Sequence, residues 1–214
     1  MGNREQFMLE FKEVSTLGKL ITFCGLDGSG KTTMINRLQE YLNIQGISTM
    51  ITKQPTEIVR KSEIFRSFID KPSQEQFDYM ALTLFAAADR VQHSNHVILP
   101  ALKKGYTVLS DRYFYSCLAN FRVMGFGKEN WIYKIVKYIS KPDIAFFLDT
   151  EVDTAISRVR NRRNERDRYI DINFQKKLRE EYLNLAKENN GIVIPASCGI
   201  EEAFEIIKER VNRI

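Results

Sequence analysis

The sequence predicts an α/β fold of three layers, a five-stranded parallel sheet with helices on both faces. Three observations predict it. Short apolar, β-rich runs alternate with longer amphipathic segments, the pattern of repeated strand–helix–strand units. Glycines 46, 105 and 191 stand between a helical segment and the next strand, where a helix end favours a residue free to turn left-handed. A glycine-rich turn from Gly25 to Thr32 separates the first apolar run from the first amphipathic one.

Residues 1–18 are polar with scattered apolar positions, Phe7, Leu9, Phe11 and Val14, and are expected to form an N-terminal extension, a short appended helix. The regular pattern starts at Lys19 and continues to the end, so 19–214 is expected to be one domain. Strands are expected at Leu20 to Cys24, Ser48 to Thr52, Thr107 to Ser110, Ile144 to Leu148 and Ile192 to Ile194. Helices are expected at Lys31 to Asn43, Glu57 to Ile69, Gln74 to Lys104, Glu129 to Ser140, Val152 to Arg163, Asn173 to Asn189 and Glu201 to Arg213. No internal repeat or Pro/Gly/Ser-rich linker interrupts the series.

With 43% hydrophobic and 28% charged residues in 214, the chain can fill one core and is not composed like a disordered protein. Its best apolar runs, Leu82 to Ala88 and Ile144 to Leu148, fall well short of the roughly 18 residues a membrane helix needs. Met1 to Lys12 is too charged for a secretory signal, and Gln6 stands where a myristoylation site has Ser or Thr, so a cytoplasmic location is expected. Cys24, Cys117 and Cys198 have no paired spacing and read as buried thiols, while His93 and His96 read as surface histidines rather than metal ligands. Of the net charge of +5, an excess of four sits in Arg158 to Arg168, "RVRNRRNERDR". So compact a cluster suits a small polyanion better than a nucleic-acid backbone.

Gly25 to Thr32, "GLDGSGKT", fits G-x-x-x-x-G-K-[ST] between a strand and a helix. Gly25, Gly28 and Gly30 allow the main chain of Leu26, Asp27 and Ser29 to turn its N–H groups inward as an anion nest at a helix N-terminus. Lys31 then reaches β- and γ-phosphates, and Thr32, beside Thr33, offers a hydroxyl to Mg²⁺. The cofactors so implied are ATP and Mg²⁺; what is done with the triphosphate is not specified by the loop.

Four further stretches follow: "AAADRVQH" (86–93), "LSDRYFYS" (109–116), "KPDIAFFLD" (141–149) and the arginine cluster. Together with the loop they resemble the thymidylate kinase family of P-loop nucleoside monophosphate kinases, from about Leu20 onwards. The resemblance implies a P-loop NTPase fold with a short Arg-rich lid at about 158–170, and transfer of the ATP γ-phosphoryl group to a pyrimidine deoxynucleotide, dTMP first. It implies that Asp27 holds the acceptor sugar hydroxyl, that Arg112 grips the acceptor phosphate, and that Asp111 orients Arg112 or Mg²⁺-bound water. Arg90, next to Asp89, would contact the acceptor base, with Phe85 the nearest aromatic; Ser116, Cys117 and Asn120 would face the acceptor. Arg158, Arg162 and Arg168 would act from the lid. A homodimer formed through the Gln74 to Lys104 helix is also implied.

The chain departs from the family pattern near the acceptor. Cys24 replaces a usual Glu, Lys53-Gln54-Pro55 replaces Arg-Glu-Pro, and Ser116 to Phe121 replaces Ser-Ser-x-Ala-Tyr-Gln. Ala86 stands four before Arg90, where an aromatic is usual, and Phe85 is one place earlier, turned by about 100° on a helix. Ile170 replaces a usual Glu after the lid. Two alternatives therefore stand beside dTMP: a paralogous kinase with another nucleotide or modified pyrimidine as acceptor, and a catalytically silent nucleotide-binding regulator.

Overall fold

The computed structural model describes residues 9–70, 78–163, 165, 169–195 and 197–214. Its sheet has five parallel strands: β1 (Leu20–Gly25), β2 (Thr49–Lys53), β3 (Thr107–Asp111), β4 (Ile144–Leu148) and β5 (Ile192–Ile194), in the order β2-β3-β1-β4-β5. Strands β1, β3 and β4 are buried at every position, as expected of central strands covered on both faces. The alternating side chains of β1 divide two apolar layers. Leu20 and Cys24 face one core, Ile21 and Phe23 the other.

The helices are α1 (Lys31–Ile44), α2 (Glu57–Arg60), α3 (Glu63–Asp70), α4 (Tyr79–His93), α5 (Leu99–Lys103), α6 (Phe114–Phe121), α7 (Asn130–Ile135), α8 (Val152–Arg160), α9 (Ile172–Glu188) and α10 (Ile200–Val211). Helices α1 and α10 cover one face with Leu38 and Ile207, while α6 and α9 cover the other with Leu118 and Leu185.

Several expectations are corrected. The helix expected from Glu57 breaks at Lys61–Ser62, where the Ser62 hydroxyl bonds back to Val59 O and accepts from Phe65 N–H, ending α2 and capping α3. The Asp78 carboxylate accepts from the Met80 and Ala81 N–H groups and caps α4, and a wide π turn over Ser94–Ile98 joins α4 to α5. Helix α8 stops at Arg160, three residues short. At the junction before β5 the left-handed residue is Asn190 (φ 52), while Gly191 is needed for space, since a Cβ there would lie 2.4 Å from the Phe147 ring. Residues 9–18 are not helical. Lys12 instead forms a parallel bridge with Ser140, and Leu9 and Phe11 pack on the core.

Candidate active site

β1 delivers the chain into the glycine loop at the carboxyl end of the sheet, with β3 and β4 on either side. Helix α1 leaves from the loop with its N-terminus pointing back into it. Gly25, Gly28 and Gly30 adopt φ of 140, 85 and 91°. The fit is close as well as left-handed, since a Cβ on Gly28 would stand 2.2 Å from Ala155 O and one on Gly25 2.5 Å from Leu148 O. The Lys31 ammonium donates to Leu26 O at 2.6 Å and Gly25 O at 3.2 Å. Burial and the nearby Arg112 cation push its pKa down to about 7, against the opposing pull of Asp27 and Asp111.

A pocket of about 180 Å³ opens over this cradle, lined by Thr32, Thr33, Lys53, Asp111, Arg158 and Arg162 among others. Asp111 Oδ2 pairs with Lys53 Nζ at 2.9 Å, and its buried Oδ1 has no hydrogen-bond partner. A buried carboxylate oxygen left unpartnered, with the exposed Thr32 hydroxyl in the same pocket, fits the oxygen-donor chemistry of a hard divalent cation.

Arg112 follows β3 directly with φ 68°, a left-handed conformation that costs roughly 1–3 kcal/mol in a residue with a Cβ. Its surroundings fix it there. Its N–H donates to Phe23 O at 2.8 Å, and the Ser110 hydroxyl donates to its carbonyl at 2.7 Å. The guanidinium forks: Nη2 donates to Asp27 Oδ1 at 2.6 Å, and Nη1 to the Tyr182 hydroxyl at 2.8 Å and Ser116 Oγ at 3.4 Å. The left-handed turn thus aims a cation into a cleft of about 480 Å³ beside the loop.

That cleft is made from separate elements. Gln54 and Arg60 come from the chain after β2, Phe65 and Phe68 from α3, Tyr79, Leu82, Thr83, Ala86 and Arg90 from α4, and Ser116, Cys117 and Asn120 from α6. Arg90 is 3% exposed; its Nη1 donates to Ala86 O at 2.8 Å and its Nε has no partner. Asp89 turns the other way and accepts from the Thr56 N–H at 2.9 Å and the Thr56 hydroxyl, tying α4 to the start of α2. Phe85 does not line the cleft, because the α-helical register carries it past the edge that Ala86 and Arg90 share. The aromatic wall is Phe65, Phe68 and Tyr79 instead, with the Phe68 and Tyr79 rings 5.3 Å apart.

His93 is buried rather than at the surface, with Nε2 at 2.8 Å from the Thr52 hydroxyl and Nδ1 at 3.0 Å from the Gln54 amide nitrogen. Burial, helped by Arg90, lowers its pKa and favours the neutral ring. Cys24, beside the glycine loop, is buried, and burial pushes its thiol up to about 11. Among the described residues no group of three or more His, Cys, Asp or Glu could hold a metal.

A third pocket of about 260 Å³ lies on the other flank of the loop, between Ser29, Gly30 and Thr33, the Asp149–Glu151 turn, Arg158, and Pro195, Cys198, Gly199 and Ile200. Arg179 stiffens that turn with bonds of 2.6 and 2.9 Å to Asp149 and 2.6 and 2.7 Å to Glu151. Arg158 Nη1 donates to Gly28 O at 3.3 Å. Arg162 lines both the cradle pocket and the large cleft, and pairs with Glu165 at 3.5 Å. Arg168 lies outside the described residues.

The structure thus gathers Asp27, Lys31, Thr32, Asp111, Arg112, Arg158 and Arg162 around one loop, with Arg90, Ser116, Cys117 and Asn120 on the cleft beside it. Tyr182, Arg60, Phe68 and Tyr79 were not foreseen from the sequence. None belongs to a local motif, and each reaches the site from an element whose periodicity speaks only of core packing.

The family model for thymidylate kinase matches residues 23–207. A probable thymidylate kinase of Pyrococcus abyssi is 37% identical over 198 residues, 89% of this chain and 94% of that protein. The thymidylate kinase of a Sulfurihydrogenibium species is 34% identical over 208 residues, 92% of this chain and 98% of its own length. That of Pelobacter propionicus is 34% identical over 213 residues, covering 92% and 96%. With this match along most of its length, the chain belongs to the thymidylate kinase family.

Proposed function

We propose that the protein transfers the γ-phosphoryl group of ATP to the 5′-phosphate of dTMP, giving ADP and dTDP. As a member of its family the chain is an ATP-dependent phosphotransferase. The observation that carries the reading for this chain is Arg112. Its guanidinium stands at the junction of cradle and cleft, so one anion bound by the loop and another bound by Arg112 would meet end to end.

The donor triphosphate would lie along the 25–32 backbone, with its nucleoside in the pocket between Gly30, Asp149–Glu151, Pro195 and Cys198. Lys31 would exchange its two carbonyl bonds for phosphate oxygens. The acceptor would place its phosphate on Arg112 and its base between Arg90, Asn120 and the Phe68–Tyr79 wall, with Asp27 near the sugar. Thr32 and Asp111 would hold Mg²⁺, which when bound neutralises phosphate charge. Arg158 and Arg162 would close over the migrating group, and Arg168 would join them. Because the acceptor phosphate is already ionised, positioning and charge suffice without a general base.

A homodimer is part of the proposal. Leu84, 49% exposed, lies one turn from the exposed Ala81 and Ala88 on the outer face of α4, which gives a second copy an apolar surface to cover. Among the described residues no helix is long and apolar enough to cross a membrane, and a cytoplasmic place is the accompanying proposal.

The test is ADP release with Mg²⁺ and ATP across dTMP, dUMP, dCMP and dGMP. dTMP is expected to give the highest kcat/KM. Equal indifference to all four would remove the assignment.

A further inference from the structure

We propose that Phe11 is a positioning residue for the acceptor arginine, acting through the first turn of α6. It lies outside the stretch 23–207 that matches the family model. Its ring stacks on Tyr113 with centroids 6.1 Å apart and planes at 21°, meets Phe114 edge-on at 6.4 Å, and touches Tyr115 at 5.4 Å. These are the three residues immediately after Arg112.

The segment that carries Phe11 is itself anchored. Lys12 N–H donates to Ile139 O at 2.9 Å, and Lys141 N–H returns to Lys12 O at 2.8 Å, which sets the segment beside Ser140. The Tyr113 hydroxyl donates to Ser140 O at 2.7 Å. Both ends of the Tyr113 ring are therefore held by one local assembly: the hydroxyl by Ser140, the face by Phe11. Ser140 is fixed in turn by its N–H to Ser94 Oγ, 2.9 Å, at the wide turn after α4.

This assembly matters because Arg112 is not in a relaxed conformation. A residue held at φ 68° reverts to a right-handed or extended geometry unless its neighbours prevent it. On the upstream side β3 holds it through Phe23 O. On the downstream side two restraints act, the Ser110 hydroxyl on the Arg112 carbonyl at 2.7 Å and the burial of Tyr113, and Phe11 stacks on that ring. With Phe11 gone, Tyr113 can tilt, the Arg112–Tyr113 peptide can rotate, and the guanidinium fork moves away from Asp27. A displacement of about 1 Å at such a group is enough to reduce productive binding severely.

The inference rests on Arg112 being the acceptor arginine, and its test has an arm that does not depend on turnover. In Phe11→Ala, amide hydrogen exchange at Arg112 and Ser116 should quicken by about tenfold or more, while Met34 in α1 keeps its wild-type rate. The KM for dTMP should rise by about tenfold with the KM for ATP unchanged, and Phe11→Tyr should restore both. Glu13→Ala removes only the Lys141 pair and should leave both readouts alone. If Phe11→Ala does not fold, Phe11→Leu, which keeps apolar volume and loses the ring, is read in the same way. Exchange that rises uniformly, exchange unchanged at 112–116, or local loosening without a change in dTMP KM would each overturn the proposal. A wild type that does not phosphorylate dTMP would instead sink the proposed reaction, and the exchange arm would still decide whether Phe11 holds Arg112.

Discussion

The glycine-loop cradle and the large cleft share Asp27, Lys53 and Arg162, yet they are built of different material. The cradle is mostly main chain from one short stretch, shaped by Gly25 and Gly28, which leave no room for a Cβ, and by the left-handed Gly30, and backed by Lys31. The cleft is mostly side chain, contributed by the chain after β2 and by α3, α4 and α6, with Tyr182 of α9 bonded to its arginine. A main-chain site depends on φ and ψ over a few adjacent residues and tolerates little change. A side-chain site can be altered one residue at a time, so discrimination among acceptors belongs there, while every nucleoside triphosphate presents the same phosphates to the loop.

Paired substitutions give the largest expected effect and the most direct way to break this division. Lys31→Met should lower kcat by about 10³-fold or more, since a cation aimed at developing charge is lost from a site that excludes water. Arg112→Gln should lower kcat/KM for dTMP by about 10²–10³-fold while the Kd for ATP stays within about twofold. Steady-state kinetics with calorimetry of ATP binding separates the two. If Arg112→Gln weakened ATP as much as dTMP, cradle and cleft would not be separate sites.

A smaller effect comes from pH. Free Lys31 titrates near 7, and phosphate oxygens around it would raise that value because nearby negative charge favours the ammonium. Between the free and bound values, binding takes up a proton, so ATP affinity should fall as pH rises, by up to about tenfold per unit. Calorimetry in buffers of different ionisation heat should show about one proton taken up at pH 8–9 and almost none at pH 6. Acceptor affinity above pH 7 should stay flat, because a guanidinium keeps its charge throughout that range.

The same contrast explains what the sequence made legible. Five strands, the sheet's parallel sense and the whole cradle could be read because each is a local pattern: an apolar run, a glycine spacing, a lysine next to a threonine. Helix α6 was missed, since Phe114 to Phe121 is buried all round save Asn120 and so has no polar face to reveal its period. The docking of Leu9 and Phe11 was missed because a bridge to Ser140 pairs positions more than a hundred residues apart. Arg90 and Cys117, singled out in the sequence, do line the cleft, yet its aromatic wall comes from α3 and the first turn of α4, where no motif marks Phe65, Phe68 or Tyr79.

The smallest effect bears on that wall. Phe85 and Ala86 are neighbours on α4, but only Ala86 lines the cleft, one helical turn before Arg90. If the register is as the structure has it, Phe85→Ala removes a ring that never meets the acceptor, and the KM for dTMP should stay within about twofold. Ala86→Phe instead inserts a ring beside Thr83 and Arg90. It should change the KM for dTMP by about threefold to tenfold, in line with the effect of a few methylenes in an apolar pocket, and should disfavour dGMP more than dTMP because the purine is wider. The two variants thus use one helix to ask which side of it faces the base. A tenfold rise in dTMP KM for Phe85→Ala, with Ala86→Phe inert, would rotate α4 by one residue and hand the stacking role from Phe68 and Tyr79 back to Phe85.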